Sequence, residues 1–374
     1  MHLVINATEL GRQRGGNETY LWGLIEGLTQ LNPPAQITLL VCDWGVPLKI
    51  PAMFEVVQLG HYRRIPFLLW QQTQILRRLK ADWYLSTFFL PPILPCSGAV
   101  LVHDLSFRAH PEYFPRTVAW YMRWLTGLAL QKARCIFTIS EFSRRELNRF
   151  YQVLPNQIAN LSGGVDRRFR PAYSQREIAE DYQILAKYRI TPPYIFALGN
   201  IHPRKNLGRV LEAYLILQMQ RSTLPAMVWG GLPRWDSHNL VQQAQQAGVI
   251  LPGFIEATDL PAVFRQAEML VYPSLYEGLG LPPLEAMACG TPTIVGNVTS
   301  LPEVVGTAAL LVNPFDANDL ALAMARLLDD QALRYDLVES GFNQVKQFTW
   351  LNTAERLMTE LARVSDSESR INEG

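Results

Sequence analysis

The sequence predicts an α/β protein made of two doubly wound parallel-sheet units in series. Three observations carry that expectation. Short apolar runs rich in β-branched residues alternate with longer stretches of helical period, the pattern of strands covered on both faces by crossover helices. The pattern halts in one polar, proline-interrupted segment and then restarts. A chain of 374 residues with 48% hydrophobic content is also long and apolar enough for two cores of ordinary domain size.

In chain order, the first unit opens with LVINAT (3–8) as a strand and a helical run from Glu18 to Gln30, with Asn17 as its expected cap. The strands ITLLVC (37–42), AVLVH (99–103) and CIFTIS (135–140) follow. The break is expected between Arg170 and Pro193, where RPAYSQREIAEDYQ is polar and Pro171, Pro192 and Pro193 interrupt the periodicity. YIFALGN (194–200), AMVWGG (226–231), EMLVYPS (268–274), TPTIVG (291–296) and AALLVN (308–313) then supply the strands of the second unit. Domains over 1–170 and 171–350 are predicted, with a cleft between them. Leu351, Ala354, Leu357, Met358, Leu361 and Val364 recur at helical spacing. They predict a last amphipathic helix over about 351–366, ahead of a polar tail, SDSESRINEG, that should fray.

Composition narrows the class. No apolar run reaches the roughly 18 residues of a spanning helix, and Met1-His2-Leu3-Val4-Ile5 lacks the basic start of a signal peptide, so a cytoplasmic protein is expected. Cys42, Cys96, Cys135 and Cys289 lie far apart among apolar neighbours, which points to reduced core thiols rather than disulfides or zinc. The net charge of +1 conceals an asymmetry. Residues 1–170 hold 19 Lys and Arg against 11 Asp and Glu, a balance of +8, while residues 171–374 hold 15 against 22, a balance of −7. The basic half is suited to a phosphate-bearing substrate or an anionic membrane surface, and the alternative is a solvated charge imbalance with no partner. Within it, HYRRIPFLLWQQTQILRRLK (61–80) mixes Arg63, Arg64, Arg77, Arg78 and Lys80 with Phe67, Leu68, Leu69 and Trp70. This stretch fits an interfacial helix on anionic lipid, and it also fits a core helix with a basic outer face.

The chemistry-bearing residues gather at strand ends. In YEGLGLPPLEAMACGTP (276–292), Glu277 and Glu285 have seven residues between them, and Gly278, Leu279 and Gly280 lead into a helix start at Leu281. A strand, a glycine turn and a helix N-terminus together present free backbone N–H groups to a phosphate. Carboxylates repel phosphate but accept two vicinal hydroxyls, so the pair suits sugar hydroxyls on either side of it. The bland alternative is that Glu285 complements the helix dipole, worth ~0.3–1 kcal/mol, while Glu277 is solvated. In GNIHPRKNLGRVLEAY, Arg204 and Lys205 lie between a strand end and a helix, placed to neutralise a diphosphate. In the first unit, Gly15 and Gly16 occupy the first βα turn without forming G-x-G-x-x-G, which disfavours a nicotinamide enzyme. AVLVHDLSF ends a strand in His103 and Asp104. The sequence contains no D-x-D pair, so no metal is expected to bridge a diphosphate.

These segments resemble one family. GGNETY, VHDLSF, CIFTISEFSRREL, SGGVDRRFRP, ALGNIHPRKNLGRVLEAY, the stretch from LPGFIEATDL to TPTIV, SLPEVVGTAALLVNPFD and FTWLNTAERL run through most of the chain in an order and spacing similar to those of the retaining GT-B glycosyltransferases of group 1, or family four. The resemblance implies two Rossmann-like domains and a nucleotide-diphosphate-sugar donor, GDP- or UDP-linked, with no cofactor. It implies that Arg204 and Lys205 bind the diphosphate, and that the N–H groups of Gly278, Leu279 and Gly280 meet sugar and phosphate. Glu277 would take hydroxyls of the transferred sugar and Glu285 those of the ribose. His103 would line the sugar pocket, and Gly15 and Gly16 would approach phosphate or acceptor. VHDLSFRAHPEYFP looks like mannosyltransferases of polysaccharide assembly, so a hexosyl transfer, mannose first, to a glycan or lipid-linked glycan hydroxyl is expected. Peripheral contact with an anionic membrane is an open alternative for localisation, and no nucleic-acid partner is expected. Two other readings share these residues: a catalytically silent sugar-nucleotide-binding subunit, and a nucleotide-sugar epimerase of the same fold.

Overall fold

The computed structural model describes residues 1–12, 15–60, 66–233 and 238–372, with side chains described through Asp366. Two compact units form. One comprises Met1–Gly164 with Thr349–Gly374, and the other Val165–Phe348. The division thus falls at Gly164 rather than at residue 170, because Val165 N–H already bonds Phe348 O (3.0 Å) inside the second unit.

In the first unit, β1 (His2–Asn6), β2 (Gln36–Cys42), β3 (Glu55–Leu59), β4 (Trp83–Thr87), β5 (Ser97–Val102), β6 (Cys135–Thr138) and β7 (Ile158–Asn160) form one parallel sheet in the order β3-β2-β1-β4-β5-β6-β7. The second unit has β8 (Tyr194–Leu198), β9 (Ala226–Gly230), β10 (Ile250–Gly253), β11 (Met269–Tyr272), β12 (Thr293–Gly296) and β13 (Leu310–Val312), all parallel, in the order β10-β9-β8-β11-β12-β13. Leu3, Val4, Val100, Phe137, Ile195, Leu270 and Val295 are buried in these strands. Their side chains can be apolar on both faces because helices cover both faces.

Each sheet reverses its winding once, between β1 and β4 and between β8 and β11. At such a reversal the two flanking loops leave in opposite directions, opening a crevice at the carboxyl ends of the strands. Sequence motifs fall at these ends: Gly15 and Gly16 beyond β1, His103 directly after β5, Arg204 and Lys205 after β8, and Glu277 after β11.

Two expectations are corrected. The first helix is Gly16–Leu31, and its N-cap is Gly15 with φ 107°, so Asn17 stands exposed within the first turn instead of capping it. The last helix runs Trp350–Asn372, through the polar stretch expected to fray, since no glycine or proline interrupts it. In the 61–80 stretch Phe67 is a buried core residue, as the core-helix alternative has it, while Leu69 and Trp70 are exposed. Of the 61–80 stretch, His61 to Ile65, with Arg63 and Arg64, lie outside the described residues.

The last helix packs on the first. Gly23 and Gly27 meet Trp350 there: a Cβ at Gly23 would stand 1.9 Å from the indole, and one at Gly27 would stand 2.0 Å from the Trp350 carbonyl oxygen. Tyr20 closes the contact edge-on to Trp350 (5.2 Å, 89°).

Candidate active site

In the second unit, the loop after β8 folds into a short 3-10 turn, Pro203–Lys205, because the His202 imidazole accepts the Arg204 N–H (3.1 Å). Asn206, in the left-handed region at φ 58°, ends the turn and donates its amide to Pro273 O (3.1 Å) and Pro314 O (2.6 Å). Leu275 N–H bonds Arg204 O (2.8 Å). The loops beyond β8 and β11 are therefore stitched together by backbone, and their side chains meet.

Glu277 is the centre of that meeting. The Arg204 guanidinium donates to Glu277 Oε2 (2.9 Å) and to Tyr276 O (2.7 Å). The Lys205 ammonium donates to Glu277 Oε1 (2.6 Å) and to the Tyr272 hydroxyl, which in turn donates to Glu277 Oε1 (2.9 Å). Burial alone would raise the carboxyl, but Arg204 and Lys205 outweigh it and hold Glu277 at about 2. Tyr272 is pushed well above the usual phenol range by burial and by Glu277, so it stays a neutral donor. A buried carboxylate is tolerable here because two cations and a hydroxyl satisfy it.

Beyond Glu277 the chain turns through Gly278, Leu279 and Gly280, all buried. Ser300 holds this turn by donating to Glu277 O (2.9 Å) and Leu279 O (3.2 Å), and Thr299 Oγ accepts the Glu277 N–H (3.2 Å). Among the described residues no protein atom takes the N–H groups of Gly278, Leu279 or Gly280. Free N–H groups in a buried turn that leads into a helix start favour an anion. Gly280 caps the helix Leu281–Ala288 at φ 92°, and a Cβ there would come within 2.6 Å of Leu301, so only glycine fits.

Glu285 is on that helix and is buried, but it makes no bond to Arg204, Lys205 or Glu277. Burial lifts its carboxyl to about 7; Arg168 works against this and Asp166 adds to it. The two glutamates thus differ: one is held ionised, the other is poised near neutrality.

In the first unit, His103 is 6% exposed and lies between two aromatic rings, Tyr20 (4.8 Å, 74°) and Phe88 (6.0 Å, 30°). Burial lowers it to about 4 against the pull of Asp104, so the imidazole is neutral at pH 7. Its Nε2 has no hydrogen-bond partner. Phe88, at φ 63°, is an aromatic residue in a strained backbone region beside this histidine. Asp104 acts on His103 only through its charge; its carboxylate accepts the Ser106 N–H (2.9 Å) and Oγ–H (2.7 Å). At Gly15 and Gly16 no described residue comes within 4 Å of where a Cβ would project. A hollow of about 770 Å³ in this unit, flanked by Arg144, Asn160, Arg356 and Arg363, contains none of these residues.

Sequence reasoning did not single out Tyr272, Asn206, Ser300, Tyr20 or Phe88. Tyr272 ends an apolar run and reads as core, and only the fold shows that its hydroxyl reaches Lys205 and Glu277.

Comparison with known proteins is consistent across the chain. The family described as Glycosyl transferases group 1 matches residues 183–344, and that described as Glycosyltransferase Family 4 matches residues 14–169. The O-antigen chain mannosyltransferase B of Escherichia coli is 34% identical over 81% of this chain and 78% of its own length. A serotype-specific mannosyltransferase, WbdA, of the same organism is 32% identical over 75% of this chain, which spans only 35% of that longer relative. The fold is shared with sucrose-phosphate synthase from Thermosynechococcus elongatus, with a TM-score of 0.77, 19% identity and coverage of 98% of this chain and 100% of that one.

Proposed function

This chain belongs to the group 1 glycosyltransferases of GT-B fold, and we propose that within that family it moves mannose from a GDP-linked donor to a hydroxyl of a growing polysaccharide, with retention at the anomeric carbon. The observation that supports the donor assignment is the Arg204–Lys205–Glu277–Tyr272 cluster, set at the winding reversal of the second sheet beside the free N–H groups of residues 278–280. The sugar and the pathway rest on the relatives named as mannosyltransferases.

In this reading Arg204 and Lys205 keep donors to spare after binding Glu277, since a guanidinium has five N–H groups and an ammonium three. Those donors receive the diphosphate, and they stabilise it more strongly as it leaves and gains charge. The N–H groups of Gly278, Leu279 and Gly280 share that load. Glu277, locked as an acceptor by its cations, takes sugar hydroxyls. Glu285 takes the ribose, and two hydroxyl donors there would pull its proton off. His103 offers the sugar a neutral donor at Nε2, and Gly15 and Gly16 allow phosphate or acceptor against the main chain. No carboxylate is assigned as nucleophile, so a front-side displacement follows, with a leaving diphosphate oxygen accepting the acceptor's proton. No metal takes part.

The test is product analysis after incubation with GDP-mannose and a mannosyl acceptor, in EDTA. Turnover with an α-configured product by NMR is expected. A β-configured product, activity only on metal addition, or no turnover with any nucleotide hexose would overturn the corresponding part of the reading.

A further inference from the structure

Tyr272 ends β11 with its ring buried, a place where an aromatic ring alone would satisfy the core. A hydroxyl carried into such a place costs stability unless it is bonded, so its partners say what it is for. It accepts from the Lys205 ammonium and gives its one hydrogen to Glu277 Oε1 (2.9 Å). The ammonium also lies 4.6 Å from the centre of the Tyr272 ring, which holds Lys205 against the same side chain.

The charge on Glu277 is held chiefly by Arg204 and Lys205, and the tyrosine adds least to it. What the tyrosine changes is the number of acceptor positions left open. A carboxylate offers about four, two on each oxygen. Oε1 accepts from Lys205 (2.6 Å) and from Tyr272, so both of its positions are filled, while Oε2 accepts from Arg204 (2.9 Å). Among the described residues the Glu277 side chain has no further partner, and a single position remains, on Oε2. Gripping two vicinal hydroxyls, one on each oxygen, needs an open position on both. Tyr272 closes one of them, and it cannot swing aside, because β11 lies inside the sheet between β8 and β12.

We propose that Tyr272 determines how the transferred sugar is read: by filling the second position of Oε1 it leaves Glu277 able to accept one sugar hydroxyl rather than a vicinal pair. The inference rests on the reading of Glu277 as the acceptor for sugar hydroxyls, and it narrows that reading to a single hydroxyl.

Isothermal titration of GDP, GDP-mannose and the 2-, 3- and 4-deoxy analogues of GDP-mannose tests it, on the parent, Tyr272→Phe and Tyr194→Phe. Dividing each affinity by that for GDP isolates the sugar. Tyr272→Phe opens Oε1 to a second hydroxyl, so one deoxy analogue should lose about tenfold more, relative to GDP-mannose, than it loses in the parent. Tyr194→Phe removes another buried hydroxyl, one that bonds Val263 O (2.5 Å), and should keep the parental profile. The same deoxy profile in the parent and in Tyr272→Phe, with the variant folded by near-UV circular dichroism and binding GDP, would overturn the proposal. An equal change in Tyr194→Phe would overturn it too, since any lost core hydroxyl would then do the same. A parent that binds GDP-mannose and all three analogues alike would overturn the underlying reading of Glu277, and this proposal with it.

Discussion

Glu277 and Glu285 show how one residue type takes opposite states a helical turn or two apart. Glu277 has Arg204, Lys205 and Tyr272 on its oxygens and is held at about 2, so its ion pairs contribute stability above its ordinary value of 4.5 and lose it only as the pH falls toward 2. Glu285 lacks such partners, and burial raises it to about 7. Between pH 4.5 and 7 the folded state then holds a proton that the unfolded state has released, so stability falls as pH rises through that window. Glu285→Gln removes the effect. Chemical denaturation at pH 5 and at pH 8 should show the parent losing ~3 kcal/mol relative to Glu285→Gln between the two values. Parallel behaviour of the two proteins would show that Glu285 titrates as an exposed carboxyl. The sequence marked both glutamates and both cations, but the Glu277 cage was not legible, because an aromatic at a strand end carries no sign of where its hydroxyl goes.

At the scale of elements, the helices Gly16–Leu31 and Trp350–Asn372 approach closely over Gly23 and Gly27. Gly23→Ala would drive a methyl into the Trp350 ring, a case of overpacking expected to cost ~1–3 kcal/mol or more. Differential scanning calorimetry should show the first unit's transition falling by several degrees. Gly60→Ala, where no described residue stands within 4 Å of an added Cβ, should leave it unchanged. Equal melting of the two variants would mean that the helices can separate at little cost. The apolar strands were legible because a strand buried on both faces needs no polar residue. The polar-ended WYLST (83–87) and the largely exposed edge strand EVVQL (55–59) were not, since neither offers a continuous apolar run.

For the whole molecule, two sheets of the same winding place every chemistry-bearing loop at strand carboxyl ends, and that much follows from the alternation of strand and helix in the sequence. The strand order, and hence which loops are neighbours, emerges only from packing: β8 and β11 are separated by 70 residues of chain between Leu198 and Met269 yet adjoin, which is why Arg204 reaches Glu277. The central claim is that this junction in the second unit holds the donor diphosphate. Isothermal titration of GDP-mannose into the parent protein, Arg204→Ala, Lys205→Ala and the distant Lys187→Ala tests it most directly, with near-UV circular dichroism confirming that each is folded. Loss of a charge-assisted contact worth ~1.5–3 kcal/mol should weaken binding about tenfold or more for Arg204→Ala and Lys205→Ala, with Lys187→Ala unchanged. Binding of parental strength by both cluster variants would contradict the account.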